Sequence, residues 1–442
     1  MWLLPLFPVV ARVAAGIYYR MRYTGERVPR RGPVLLVANH PNSLLDPVLV
    51  AAAARRPVRF LAKAPLFDDT TIAWLVRASG AIPVYRRADD PAQMDRNEDT
   101  FRAVHAALAA GAAVGIFPEG LSHSEPALAP LKTGAARIAL GAHALTGWPF
   151  PIVPVGLVLR QRDVFRSEAL ALVGRPLPWD DLALRGLEDA GAVRTLTDRV
   201  AEAIREVTVN LERWEDGPLV ECAVRVWETE VGAPPAASER VARLEVTTGI
   251  LSAVRRSGDP AAAALARDVE AHRRRLARLG LRPADLAADV GLGRGVGWAA
   301  RRVPLLMPLA AAVAVSGLLL FWVPFQLTGW VVDRMRRPAD QRSTYKLLVG
   351  IVIYALWVLA LAAVGAVLGN AWVGLGVLLG VPAIGLAGLV TRERWRGAWS
   401  DARRFLLLRG RRALVGALRT EQRDLGLRLD AVYRDFAARR AT

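Results

Sequence analysis

The feature that most constrains this chain is a run of 44 residues, 347–390, that contains no charged side chain. About 20 apolar helical residues cross the hydrocarbon core of a bilayer, so such a run holds two spans. Asn370 is the natural turn between them, and a helical hairpin is expected. Arg342 and Lys346 precede the run and Arg392, Arg394 and Arg396 follow it. The positive-inside bias therefore puts both flanks in the cytoplasm. A second apolar run, 303–330, is punctuated by Pro304, Pro308 and Pro324. Arg301 and Arg302 stand before it, and Arg334, Arg336 and Arg337 after it. With arginines at both ends, a Pro-broken re-entrant segment or short hairpin is expected there rather than one span.

The first 24 residues are apolar for about sixteen positions, broken by Pro5 and Pro8, which is short for a span. No basic segment precedes the apolar stretch, so an interfacial helix ending in Arg20 and Arg22 is expected rather than a cleaved signal. The net charge is +18, yet the only lysines are Lys63, Lys132 and Lys346. Such basicity suits nucleic acid, an anionic membrane or an anionic substrate. The arginines flank apolar runs and no nucleic-acid motif is present, so membrane lipids are the expected partner and nucleic acid is not. A single cysteine, Cys222, excludes an internal disulfide framework. No metal-ligand spacing occurs, and neither metal nor cofactor is expected.

Between residues 25 and 215, short apolar runs alternate with helical patterns, the signature of an α/β domain with a mixed sheet flanked by helices. The runs 33–39, 58–63, 81–86, 113–117 and 150–159 read as strands, and 97–111 and 133–145 as helices. Residues 216–300 are amphipathic and helical, separated by Gly and Pro. Membrane segments occupy 301–390, and 391–442 reads as an exposed basic amphipathic tail.

Four motifs in the α/β region carry chemistry. Asn39-His40-Pro41-Asn42-Ser43-Leu44-Leu45-Asp46 places an Asp one to two turns after a His at a strand end. The Asp can fix the imidazole tautomer while His40 takes a proton from a hydroxyl. Alone, the pair reads more readily as a loop histidine beside a capping Asp. Gly80-Ala81-Ile82-Pro83-Val84-Tyr85-Arg86-Arg87 brings an arginine out of a buried strand, able to hold a phosphate or simply to face solvent. Phe117-Pro118-Glu119-Gly120-Leu121-Ser122-His123 turns sharply after a strand. Glu119 there can accept substrate hydroxyls or organise arginines, while Lys132 approaches a helix N-terminus, a place that favours anions. The bland reading is a turn with a salt bridge, His123 positioning that turn. Ile152-Val153-Pro154-Val155-Gly156-Leu157 reads by itself as plain core.

In this order the four blocks resemble the glycerolipid (phospholipid/glycerol) acyltransferase family, over residues 25 to about 215. The resemblance implies that His40 and Asp46 are catalytic. It implies that Arg86, Glu119, Gly120, Ser122 and Lys132 bind the glycerol phosphate, with Arg87 assisting. The common family spacing is His-x4-Asp; here five residues separate His40 from Asp46. Together with FPEGLS, this resembles the branch of the fungal glycerol-3-phosphate/dihydroxyacetone-phosphate acyltransferases, which also have C-terminal membrane segments. The implied activity is transfer of a fatty acyl group from acyl-CoA or acyl carrier protein to a glycerol-phosphate hydroxyl. Glycerol-3-phosphate is the first acceptor, lysophosphatidate or another lysolipid the second. A catalytically silent lipid-binding scaffold is the rival from another class. The enzyme is expected to be a multi-pass membrane protein with its catalytic domain on the cytoplasmic face.

Overall fold

Val34–Ala38 is apolar at every position, a pattern that suits a strand covered on both faces, and all five residues are buried. It is β2 of a seven-stranded sheet. The computed structural model describes residues 2–70, 72–86, 90–123, 125–232, 237–287, 306–336 and 339–441. Arg87, Arg301, Arg302, Arg337 and the stretches 288–300 and 303–305 lie outside the described residues. The chain forms two units, 1–214 with 235–249 and 339–344, and 215–234 with 250–338 and 345–442.

In the first unit the elements run α1 (Phe7–Tyr18), β1 (Arg20–Gly25), β2, α2 (Leu45–Ala54), β3 (Val58–Lys63), α3 (Ala73–Ala78), β4 (Ile82–Val84) and α4 (Asn97–Ala109). There follow β5 (Ala113–Ile116), α5 (Gly134–Thr146), β6 (Ile152–Leu159), β7 (Glu168–Val173), α6 (Asp180–Ala183) and α7 (Ala190–Val207). The sheet order is β1-β7-β6-β2-β5-β3-β4, and every pair is parallel except β6–β7. The sheet is therefore mixed, as expected. Val104 and Leu108 of α4, Ile138 and Leu140 of α5, and Leu196 and Ile204 of α7 pack with Leu35, Val37 and Val114 to form the main core. On the other face α2 lies against β3, β6 and β7, and α1 against α2.

Two local features explain sequence choices. Pro154 falls one residue before the β6–β7 ladder begins at Val155, and its carbonyl still accepts from Gly174 N at 2.9 Å. The donor that proline lacks is thus not needed for that ladder. A Cβ at Gly115 would stand 2.4 Å from the Phe60 ring, so glycine is what lets Phe60 cross β5.

The N-terminal helix corrects one expectation. It ends at Tyr18, and Arg20 and Arg22 stand on β1, paired with Glu168 and Leu170 of β7. The charges alternate with Met21 and Tyr23, a strand pattern rather than a helical one.

In the second unit, helices Gly217–Glu230, Pro260–Leu279 and Pro283–Ala287 pack with the last helix, Arg412–Ala441. The tail is therefore not an exposed helix. Leu425 and Leu429 join Val226 and Val269 in one core, and Val415 and Leu418 join Leu276 and Leu286 in another. Buried Gln422 donates to Glu230 Oε1 at 2.6 Å, and Arg428 pairs with Asp268 at 2.9 Å. The partners of the tail are the helices whose role the sequence alone left open.

Among the described residues, three helical stretches are long and apolar enough to cross a membrane: Ala311–Arg334, Gln341–Leu368 and Ala371–Trp395. Asn370 caps the third, its side chain accepting from Trp372 N and Val373 N at 3.0 Å each. The first apolar run departs from expectation, because Leu306–Arg334 is one helix that runs through Pro324. A proline in a helix leaves the carbonyl four residues earlier without its donor. Here that carbonyl, Leu320 O, accepts from Trp357 Nε1 at 2.9 Å, so the helix continues unbroken. Close approach of this helix to Ala371–Gly410 needs small residues: a Cβ on Gly317 would lie 3.1 Å from Gly388 Cα.

Candidate active site

β2, β3, β4 and β5 are mutually parallel through their pairings, so their C-terminal ends share one edge. From β2 the chain crosses to one side, through α2 to β3; from β5 it crosses to the other, through α5 to β6. This reversal between adjacent strands opens a crevice in α/β sheets, and the His40 and Glu119 loops emerge from it.

Asn39 sets the exit of the chain from β2. Its Nδ2 donates to Leu157 O at 3.0 Å and its Oδ1 accepts from Leu157 N at 2.8 Å, so its side chain takes over the ladder with β6. The following turn holds Ser43 in the left-handed region, φ 51°, and Leu45 and Asp46 donate back to the Asn42 and Ser43 carbonyls. That turn absorbs the five-residue spacing. Asp46, in the first turn of α2, folds back so that Oδ2 lies 2.8 Å from His40 Nδ1 and accepts from Asn42 N at 2.6 Å. With Asp46 ionised, the contact requires a proton on Nδ1 and leaves Nε2 as the base. The His40 side chain is 19% exposed and that of Asp46 fully buried. Burial pushes the Asp46 carboxyl above the ordinary carboxylate range, against the pull of the His40 and Asn42 hydrogen bonds. The His40 ring stacks on Phe117 at 4.1 Å, and Phe117 in turn on Phe60 at 6.0 Å.

β5 leaves the sheet through Pro118-Glu119-Gly120, with Gly120 at φ 72°, a conformation glycine adopts without strain. Glu119 is 1% exposed, and its carboxylate is turned into the protein. Oε1 accepts from His40 N at 2.7 Å; Oε2 accepts from Ala129 N at 2.8 Å and bonds His123 Nε2. The sequence offered Glu119 as an acceptor for substrate hydroxyls, an organiser of arginines or a turn residue in a salt bridge; in the fold its oxygens take donors from the protein and it holds the His40 loop. Ser122 does likewise, its Oγ accepting from Ser43 N at 2.9 Å. His123 N donates to His40 O at 3.3 Å.

Arg86 and Lys132 converge on Gly120. Arg86 Nη1 donates to Gly120 O at 3.0 Å. The exposed Lys132 lies along the glycine's open side, so that a Cβ there would stand 2.9 Å from Nζ. Two cations thus flank the turn that carries Glu119. Among the described residues, no three His, Cys, Asp or Glu side chains gather as a metal site would require.

Sequence reasoning missed the supports behind the loop. Arg162 Nη1 donates to Pro41 O at 3.1 Å and His123 O at 3.3 Å, joining the two active-site loops. Asn42, Tyr19 and Ser343 form a buried polar group with the Arg162 carbonyl. Only Asn42 lies within a motif, and nothing in its spacing marks it.

Residues 20–158 match the family model Acyltransferase. Over 135 residues the chain is 33% identical to glycerol-3-phosphate O-acyltransferase 2 of Saccharomyces cerevisiae, covering 30% of this chain and 18% of that protein. Over 262 residues it is 28% identical to glycerol-3-phosphate O-acyltransferase 1 of the same yeast, covering 57% and 33%. Over 292 residues it is 25% identical to an uncharacterized acyltransferase of Schizosaccharomyces pombe, covering 46% and 43%. The matches thus span less than half the length of each of these relatives. The crystal structure of the 1-acyl-sn-glycerophosphate acyltransferase of Thermotoga maritima aligns with 20% identity and a TM-score of 0.34, over 46% of this chain and 78% of that one.

Proposed function

We propose that this protein is a membrane acyltransferase that moves a fatty acyl group from the thioester of acyl-CoA or acyl carrier protein to a hydroxyl of a glycerol phosphate. The observation that carries the reading is the His40–Asp46 pair, 2.8 Å apart, beside a turn flanked by Arg86 and Lys132. The acceptor hydroxyl gives its proton to His40 Nε2 as its oxygen attacks the thioester carbonyl. Asp46 holds the imidazolium that forms. When the tetrahedral intermediate collapses, the C–S bond breaks and the departing thiolate takes the proton back from Nε2. Transfer is direct and needs no acyl-enzyme or cofactor. Arg86 and Lys132 hold the acceptor phosphate, and Glu119 and Ser122 act as positioning residues.

Glycerol-3-phosphate is the favoured acceptor, since two yeast relatives carry that activity in their names. Lysophosphatidate is second. The protein is multi-pass, with the α/β domain on the cytoplasmic face; Arg342 and Lys346 on one flank of the helical pair and Arg392 and Arg394 on the other support a cytoplasmic position for those flanks, and Ala339–Thr344 on the first flank belongs to the α/β unit. The exposed stripe Leu6, Val9, Val10, Val13 and Ile17 of α1 lies at the membrane interface.

The test offers glycerol-3-phosphate, dihydroxyacetone phosphate, lysophosphatidate and a lysophospholipid in parallel to wild type and Arg86→Ala. Loss of a charge-assisted phosphate contact is expected to raise the acceptor KM about ten- to hundredfold, with a smaller change in kcat. An unchanged KM for every phosphate-bearing acceptor would overturn the glycerol-phosphate assignment.

A further inference from the structure

Asn42 links the catalytic pair to a part of the chain three hundred residues away. Its backbone N–H donates to Asp46 Oδ2, the same oxygen that meets His40 Nδ1. Any movement of Asn42 therefore moves the oxygen that orients the imidazole. The Asn42 side chain is held at both ends of its amide: Nδ2 donates to Tyr19 Oη at 2.7 Å, and Oδ1 lies 2.9 Å from Ser343 Oγ. The directions of these bonds are determined by their partners. Tyr19 donates its own proton to Arg162 O, so its oxygen is free to accept from the Asn42 amide. Oδ1 then faces Ser343, whose hydroxyl is the available donor, shared with Arg162 O at 2.8 Å. Asn42, Tyr19 and Ser343 are all fully buried, where an unmet amide or hydroxyl is costly and a satisfied network is rigid. Burial also holds the Tyr19 hydroxyl far above the ordinary phenol range, so it remains a donor.

Ser343 belongs to the six residues Ala339–Thr344 that are part of the α/β unit. The same helix, Ala339–Leu368, continues as an apolar span. We propose that Ser343, acting through Asn42, is a positioning residue for the His40–Asp46 pair, so that the segment leading into this span helps to set the catalytic base. Its catalytic consequence rests on the function proposed above; its geometric content does not.

The experiment uses the full-length protein in lipid nanodiscs, as wild type, Ser343→Ala and Tyr19→Phe. The second variant loosens the same amide from a different element, in case the first fails to fold. Both are expected to lower kcat about tenfold and to leave the acceptor KM within about twofold. The second readout needs no turnover. An imidazole Nδ1–H bonded to a buried carboxylate gives a strongly deshielded proton resonance, assigned to His40 by its disappearance in His40→Gln. That resonance is expected to shift or broaden in both folded variants. If it is unchanged in both, Ser343 does not position the pair, whatever kcat does, and the proposal is overturned. If wild type transfers no acyl group to any acceptor, the functional reading fails alone, and the resonance still decides the positioning.

Discussion

Asp46→Asn is expected to abolish most acyl transfer yet to unfold close to the wild-type temperature. Both halves follow from one buried side chain. As a carboxylate, Asp46 accepts the His40 Nδ1 proton and stabilises the imidazolium; an amide keeps the shape and loses the charge. Removing effective general-base catalysis is expected to lower kcat about a hundred- to ten-thousandfold. The stability half depends on the direction of the carboxyl's shift. Burial raises it in the folded state, so between the unfolded and folded values the native protein binds more protons than the unfolded chain. Stability contributed by this group is therefore present at low pH and lost as pH rises past the unfolded value. At neutral pH burial of the ionised Asp46 works against folding; the neutral amide removes that penalty but sets an NH2 at the buried Oδ1 position, which has no partner among the described residues, and the two effects oppose each other. Assay of kcat beside thermal unfolding at pH 7 checks both. A variant that loses activity because it melts well below wild type would contradict the assignment of Asp46 to catalysis.

Glu119→Gln is expected to damage the fold of the site nearly as much as Glu119→Ala. Each carboxylate oxygen accepts from a backbone N–H, Oε1 from His40 and Oε2 from Ala129. Glutamine can present an oxygen to only one of them and turns its NH2 toward the other donor. A buried unsatisfied N–H costs about 1–3 kcal/mol; with the NH2 at the Oε1 position His40 N is unmet, and with it at the Oε2 position both Ala129 N and His123 lose their acceptor. The His40 loop then loosens, so kcat falls and the melting temperature falls with it. The outcome separates two readings of Glu119. A residue that contacts the substrate glycerol would, as Gln, raise the acceptor KM and leave unfolding unchanged. A clamp lowers stability and kcat together with little effect on KM.

How far the sequence revealed this arrangement depends on where each interaction is made. β2, β5 and β6 are legible because they are short, continuous apolar runs bounded by turns, and β3 because Val58, Phe60 and Ala62 alternate with Arg59, Leu61 and Lys63. β7 is not: Glu168-Ala169-Leu170-Ala171-Leu172-Val173 is composed largely of good helix formers, and pairing with β6 and β1 overrides that preference. β1 was hidden by its two arginines at the end of an apolar helix. The unbroken helix through Pro324 depends on Trp357 reaching Leu320 O from 37 residues away, which no local pattern records.

The site divides in the same way. His40, Asp46, Arg86, Glu119, Gly120, Ser122 and Lys132 lie in motifs, and the fold brings them to one sheet edge or into the loops behind it. Motif order cannot show that both oxygens of Glu119 point inward. Arg162 lies 121 residues from Pro41, and Tyr19 and Ser343 lie 23 and 301 residues from Asn42, so only the folded chain shows them together.

The central claim is tested most directly by acyl transfer from labelled acyl-CoA, and in parallel from acyl-carrier-protein thioester, in the presence of glycerol-3-phosphate, with wild type and His40→Ala in the same nanodiscs. Labelled acylglycerol phosphate is expected from wild type and its near-complete loss in His40→Ala, with both proteins folded. Folded wild type that forms no product from either donor, or His40→Ala that forms as much as wild type, would contradict it.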